Sequence, residues 1–475
     1  MNVSTDGSIP GRLVQLEVIT LAVVYPFMLG GLQYVGPAFA SARDDIRVKY
    51  PWINLTQTFV VGEKTPHYSD WLSQYENVLA FYYYRARTQK QTADVTAFVT
   101  AGGDDMTGFG QFATETDKLL ITSVAQTTDF RDKSKWPTWV TTTSNSRTAF
   151  RTVYESLSKM FKWSISTVLC DANSNTYFEP FSEYIRQTLL VTSPNAQVNR
   201  VISAAELNMT NGEYVVLAFL TFRHVSFGNF GLDVPVNATS VEVLTLKKAL
   251  KCLLIIEPFP AREGENASEM KSRWRKQSRE FDNSTYGVGE AMSPHPSSTY
   301  IAMMALAEVV EEIRKHTSLN FNNQRIDQFG GRKIAARFKN RTFTSDKIAA
   351  VTIDAVGERM IPMVVTQLDP VTGNITIVLS QDDVQLRMRN TGLIVWSTAW
   401  PVPDSPFCGF HGESRACLNT ATSTLQYSLA FGVVLLGILV IALLIYLRLN
   451  KISKEDGRWW MLERKHFESS QRPVG

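Results

Sequence analysis

Histidine and cysteine are scarce in this chain, with six and four copies among 475 residues. No two histidines have the spacing of a metal site, and "HGE" at 411–413 lacks the second histidine of a helix-borne zinc motif. A phosphate-binding loop, a dinucleotide fingerprint and a Gly-x-Ser-x-Gly elbow are missing too. We therefore expect this chain to have no cofactor and no catalytic site, and not to act as an enzyme by itself.

Excess charge of one sign is also lacking. The formal net charge is +3, too small to indicate a nucleic-acid partner. The densest basic run, "KSRWRKQSR" at 271–279, is interpreted as a solvated helix face. With 44% hydrophobic residues, the composition is that of a folded protein with room for two or three globular units.

Charge is missing altogether from residues 425–447, "LQYSLAFGVVLLGILVIALLIYL". As a helix this segment is about 34 Å long, enough to cross a bilayer. Residues 401–424 hold one basic residue, Arg415, whereas seven follow the span: Arg448, Lys451, Lys454, Arg458, Arg464, Lys465 and Arg472. The positive-inside rule predicts a single-pass protein of the cell membrane, with an extracellular N-terminus and a cytosolic tail at 448–475.

Asn-x-Ser/Thr glycosylation sequons and cysteines occur only before the span. Both are typical of the extracellular side, so they agree with that orientation. Besides the sequon at Asn2, the candidate glycosylation sites are Asn54, Asn208, Asn237, Asn266, Asn283, Asn340 and Asn374. Cys408 and Cys417 flank a short glycine-containing loop, which predicts a local disulfide. Cys170 and Cys252 fit a second disulfide or two buried thiols equally well.

Apolar runs of strand character alternate with amphipathic stretches over 16–380. The helices expected are 34–50, 146–163 and 297–316, the last with a serine N-cap. Residues 349–380 predict hairpins with turns at "DAVGER" and "DPVTGN". This alternation predicts an α/β fold with parallel strands, and its length suggests two lobes with a ligand cleft at the carboxyl ends of strands.

The stretch at 19–42, "ITLAVVYPFMLGGLQYVGPAFASA", resembles a secretory signal peptide with Ala-x-Ala cleavage spacings. Pro26 interrupts its apolar core, and only Arg12 supplies a charge before it. We therefore interpret the stretch as a strand and the start of a helix. We then expect either that the span directs insertion or, preferably, that the true N-terminus lies upstream of this sequence.

The stretch before the span, "WPVPDSPFCGFHGESRACL" at 400–418, resembles the Cys-Gly-Phe…Cys stalk of receptor-type guanylate cyclases and natriuretic peptide receptors. Similar segments follow the family's order elsewhere: "ITLAVVYP", "LNMTNGEYVVL", "RFKNRTFTSDKIAAVTIDAVGER" and the basic, Trp-rich "RWWMLERKHFE". The resemblance covers roughly residues 16–467.

The resemblance implies a two-lobed type I periplasmic-binding-protein-like ectodomain at 16–400, whose chain crosses between the lobes three times. Lobe one would hold about 16–145 and 290–345, and lobe two about 146–289 and 346–395. A stalk at 401–424 and one transmembrane helix at 425–447 would follow. The partners implied are a peptide or small-molecule ligand and a second receptor chain, as a homodimer or a heterodimer.

Three departures from the family are visible. The family's first-lobe cysteine pair is missing: Tyr68 lies near one expected position, and "AGGDDM" replaces the loop that carries the other. Because that loop forms the chloride site in some relatives, we do not expect a chloride site here. A strand and helix expected before "MTNGEYV" are lacking. The kinase-like and cyclase regions are absent too, as in clearance-type receptors.

These features predict a non-catalytic, clearance-type receptor. The alternatives are an N-terminal fragment of a full receptor guanylate cyclase and a membrane-anchored amino-acid-binding or adhesion module.

Overall fold

The structure is a computed structural model of the whole chain. It describes residues 13–22, 30–61, 80, 84, 93–100, 106–124, 128–143, 147–163, 185, 213–221, 239–259, 264–282, 292–317, 329–369, 374–381, 388–396, 400–403, 409 and 415–456. The chain consists of two compact units, residues 1–404 and residues 405–475.

Five parallel strands form sheet one, in the order β2-β1-β3-β4-β5. They are β1 (Val14–Ala22), β2 (Ile53–Val61), β3 (Val95–Thr100), β4 (Leu119–Thr122) and β5 (Trp139–Thr141). The intervening helices are α1 (Leu32–Lys49) and α2 (Thr107–Glu115). Strands alternating with helices produce parallel pairs, so this half confirms the predicted α/β class.

The described parts of the stretch at 19–42, residues 19–22 and 30–42, belong to this folded half, as predicted. β1 runs through the sheet interior, paired with β2 along all nine residues and with β3 on its other side. The apolar residues that recur at helical spacing along α1 are buried: Val35, Ala38, Phe39, Ala42 and Ile46. Cleavage after this stretch would remove an interior strand and half of its covering helix.

Three further helices pack on sheet one: α5 (Ala267–Asp282), α6 (His295–Thr317) and α7 (Gly331–Phe338). α6 is buried on more than one side, because every residue from Tyr300 to Ala307 is at most 8% exposed. The predicted serine N-cap of this helix is wrong, since α6 begins at His295, with Pro296 in its first turn. Proline is tolerated there because first-turn N–H groups have no partner within the helix.

Sheet two is mixed, with the strand order β12-β11-β10-β7-β6. Its strands are β6 (Val216–Phe219), β7 (Leu253–Pro258), β10 (Met363–Leu368), β11 (Ile375–Gln381) and β12 (Met388–Asn390). Only β6 and β7 pair in parallel among these strands. Helix α3 (Arg147–Phe161) shares its core and α4 (Ser240–Lys251) lies nearby. On α3 the apolar stripe of Phe150, Val153 and Leu157 is buried, whereas Met160 is 38% exposed.

The predicted hairpin series at 349–380 is half right. β10 and β11 form an antiparallel hairpin across 369–374, where the Asp369 N–H donates to the Asn374 carbonyl. The strand before the first turn, β9 (Val351–Ile353), pairs instead with β8 (Arg341–Phe343). A single bridge joins Ile353 to Arg359 across "DAVGER". That turn therefore leads the chain away from β9.

The described chain passes three times between the core that α1, α5 and α6 form on sheet one and the core of sheet two: between Val140 and Phe150, between Ile256 and Met270, and between Ile353 and Ile361. The predicted boundaries place 267–282 in lobe two, but α5 packs on α1 beside sheet one. There Trp274 is fully buried and its Nε1 donates to Ser41 Oγ at 3.0 Å. Val351 and Ile353 also belong to the core of sheet one. The second passage therefore lies between Ile256 and Met270 and the third between Ile353 and Ile361, not at the predicted 290 and 346.

The second compact unit contains one long helix, α8 (Arg415–Asp456), with 42 residues. Within its segment Tyr427–Lys451, an 18-residue window has a mean hydropathy of 3.0, and every residue of the segment is exposed. Such a helix is long and apolar enough to cross a membrane. This was the only segment among the described residues to meet that criterion.

Candidate functional site at the joint between the sheets

The carboxyl ends of β4 and β5 carry a row of hydroxyl side chains, where α/β folds commonly bind ligands. These hydroxyls are buried and bonded to one another and to the start of α6. Ser123 Oγ lies 2.9 Å from Thr299 Oγ1, Thr142 Oγ1 donates to the Ser298 carbonyl at 2.8 Å, and Thr143 Oγ1 donates to the Val124 carbonyl. Since their hydrogen bonds are satisfied internally, they attach α6 to the sheet edge.

A tight loop, 354–359, packs against the end of β5 and begins the third passage between the cores. Asp354 organises it, because Oδ1 accepts from the backbone N–H groups of Val356 and Glu358 at 2.9 and 2.8 Å. Gly357 has φ of 83°, a region that favours glycine, and its carbonyl accepts from the Thr141 N–H. We call this loop, together with Arg131, Lys133, Thr142 and Ser298, the joint.

Ionisable groups are concentrated at the joint. Arg131 forms an ion pair with Glu358, whose side chain is 3% exposed. Lys133 Nζ donates to the Trp139 carbonyl at 2.7 Å and lies 4.2 Å from the centre of its ring. Burial raises the pKa of Asp354, and the charge of Arg131 opposes that rise. A buried polar network of this kind favours one arrangement of its segments.

Burial lowers the pKa of Lys133 from 10.5 to about 6, and the charge of Lys339 adds to the effect. Between these pH values the unfolded chain binds a proton that the folded chain does not, so stability rises with pH. We expect Lys133→Met to remove up to about 1.4 kcal/mol per pH unit from the slope of the unfolding free energy between pH 6 and 8. Urea unfolding of the full chain in detergent at three pH values measures it.

Lys135→Met is the matched control, because the Lys135 side chain is 72% exposed and lies two residues away. Its slope should equal that of the unmodified chain. Equal slopes in both variants would contradict a buried, neutral Lys133.

Arg359 connects three segments of the joint. Its Nη1 donates to the Thr142 carbonyl at 3.1 Å and to Ser298 Oγ at 3.2 Å. Burial lowers the pKa of this guanidinium to about 10, so it stays charged at neutral pH. The contacts hold the first passage, the third passage and the first turns of α6 together.

The predicted disulfides are not tested by the described residues. Cys408 and Cys170 lie outside them, and the side chain of Cys417 in α8 lies outside them as well. Cys252 is fully buried between α4 and β7, and its carbonyl accepts from the Val216 N–H. Both pairings stay predictions.

Four of the predicted glycosylation sites are described, and all four are exposed. Asn54 lies on β2, Asn266 immediately before α5, Asn340 between α7 and β8, and Asn374 at the start of β11. Asn208, Asn237 and Asn283 lie outside the described residues. Exposure makes modification of the four sterically feasible.

The basic run at 271–279 lies on α5, as predicted, and its apolar face is anchored by Trp274. Arg273 and Lys276 are exposed, and Arg273 lies 3.7 Å from Asp44. This agrees with a solvated helix face. No group of three or more metal-ligating side chains occurs in the part of the chain that the structure describes.

The joint could not be predicted as a site from the sequence. Asp354, Gly357 and Arg359 were noted only as part of a segment similar to a family, with no role assigned. The signal that could have identified them is a strand followed by Asp-x-x-Gly-x-Arg, in which the Asp and Gly predict a tight turn and leave the arginine at its end. No protein-family model matches the chain.

Proposed function

We propose that this protein is a single-pass receptor of the cell membrane whose large N-terminal part binds an extracellular ligand. The observation that carries the proposal is the fully exposed apolar segment Tyr427–Lys451, which follows a separate compact α/β unit. Exposed apolar surface of this extent is stable in lipid and not in water. The basic residues after the span support a cytosolic tail and an extracellular N-terminus.

The fold proposed for residues 16–400 is the two-lobed, type I periplasmic-binding-protein-like one. Three facts support it: an all-parallel sheet one, a second sheet with its own core, and three passages of the chain between them. Folds of this kind bind ligands between their two halves, beside the carboxyl ends of strands. The joint lies beside the ends of β4 and β5.

By resemblance of the stalk at 400–418 and of the segments that follow the family's order, the proposed relatives are receptor-type guanylate cyclases and natriuretic peptide receptors. The chain would act without catalysis, in ligand capture or as a homodimer or a heterodimer with a related receptor. Glycosylation of its exposed sequons and the Cys408–Cys417 disulfide belong to the same proposal. An in-frame kinase-like domain in the transcript beyond Gly475 would favour the alternative of a cyclase fragment.

Thermal unfolding of the full chain in detergent, with candidate peptides or free amino acids added, tests the proposal. A ligand at about 100 times its dissociation constant stabilises the folded state by about 2.7 kcal/mol. We expect protection by a peptide. Protection by amino acids alone would favour the amino-acid-binding module and contradict the proposed relatives.

A further inference from the structure

Arg359 has a guanidinium edge that no described residue uses. Both of its hydrogen bonds are made by Nη1, to the Thr142 carbonyl and to Ser298 Oγ, and both acceptors are neutral. That leaves the edge formed by Nε–H and Nη2 with no acceptor among the residues that the structure describes. The side chain is partly buried, and neither Nε nor Nη2 is among the fully buried polar atoms that lack a hydrogen bond, so this edge keeps some access to solution.

The carboxylates of the joint are already engaged elsewhere. Glu358, next to Arg359 in the chain, forms its ion pair with Arg131. Asp354 accepts the N–H groups of its own loop. Within the described part of the joint, Arg359 is therefore a cation whose charge is not balanced by an acidic side chain. Charges in partly buried positions are normally paired, so this arrangement favours binding of an anionic group.

The shape of the open edge indicates which anion fits. Parallel Nε–H and Nη2–H groups match the two oxygens of a carboxylate, and such bidentate pairs are shorter and stronger than neutral hydrogen bonds. We propose that Arg359 binds a carboxylate group of this receptor's ligand at the joint between the sheets, an inference that rests on the proposed ligand-binding function.

The proposed carboxylate contact lies where three segments of the chain meet. Arg359 already touches the first passage through Thr142 and the start of α6 through Ser298, and it lies on the third passage. A carboxylate bound to it would join the same three segments. Binding therefore stabilises one arrangement of the passages between the two cores.

Sodium succinate serves as the probe, compared with sodium chloride at equal ionic strength, and the readout is the melting temperature of the full chain in detergent. At about ten times its dissociation constant, succinate should raise the melting temperature by about 2 °C. Arg359→Gln should abolish the rise. Arg359→Lys should retain less than half of it, because an ammonium keeps the charge and loses the planar fork.

Arg332→Gln is the matched control, since the Arg332 side chain is 61% exposed and only 3.9 Å from Asp117, and it should respond like the unmodified chain. If Arg359→Gln does not fold, Arg359→Lys decides, and an undiminished rise in that variant would overturn the proposal. An equal rise in all variants would overturn it as well. So would the absence of any rise in the unmodified chain when the succinate concentration reaches about 100 times the dissociation constant of a simple arginine–carboxylate pair. Orientation in the membrane does not affect this measurement, so its failure is distinguishable from failure of the receptor proposal.

Discussion

Gly331→Ala is expected to unfold the N-terminal unit or to lower its stability by about 3 kcal/mol or more. Gly331 opens α7 where this helix meets the start of β4. A Cβ built there would lie 2.3 Å from the Lys118 carbonyl carbon and 2.5 Å from the Leu119 nitrogen. Both atoms are backbone, so the clash is relieved only by moving β4 or α7. Urea unfolding of the full chain in detergent, followed by tryptophan fluorescence, measures the loss.

Gly330→Ala is the matched control, one residue earlier. Its Cβ would lie 2.2 Å from Asp117 Oδ2, which is a side-chain atom that can rotate away. That rotation gives up the bond from the Arg332 N–H to Asp117 Oδ1, a helix cap that contributes about 1 kcal/mol. A stability loss in Gly331→Ala no larger than in Gly330→Ala would contradict the close approach of α7 to β4.

Charges within the apolar segment should remove the chain from the membrane. Leu436, Leu439 and Leu443 lie near the middle of Tyr427–Lys451 and are 56–66% exposed. Arginine at the centre of a spanning helix costs about 2.5–3.5 kcal/mol in insertion, so the triple replacement costs about 9 kcal/mol. We expect the triple arginine variant to be released by alkaline extraction of membranes.

The triple alanine variant at the same positions keeps the segment uncharged and should stay in the membrane pellet. It controls for lost side-chain volume. Retention of the arginine variant in the pellet would show that another part of the chain holds it there.

The elements that the sequence predicted well are those whose pattern is local. The apolar face of α1 repeats at helical spacing from Val35 to Ile46, so its burial follows from periodicity alone. The span follows from composition and length. The hairpin of β10 and β11 follows from a turn between two strands.

The failures have a different physical origin. The basic run of α5 does not predict which sheet the helix covers. Its position depends on the contact of Trp274 with Ser41, which is more than 200 residues away in the sequence. β9 pairs with β8 rather than with β10, because the "DAVGER" loop docks on β5 through Gly357 and Thr141. The joint escaped prediction for the same reason. Arg359, Thr142 and Ser298 are distant in sequence and meet only in the fold.

The orientation of the chain is the central claim, and glycan mapping in cells tests it most directly. The unmodified chain should lose mass on digestion with an N-glycosidase, and Asn54→Gln with Asn340→Gln should lose less. Glu468→Asn creates the sequon Asn-Ser-Ser in the tail, and it should add no glycan if the tail is cytosolic. A glycan on that tail sequon, together with none on the N-terminal unit, would contradict an extracellular ligand-binding receptor.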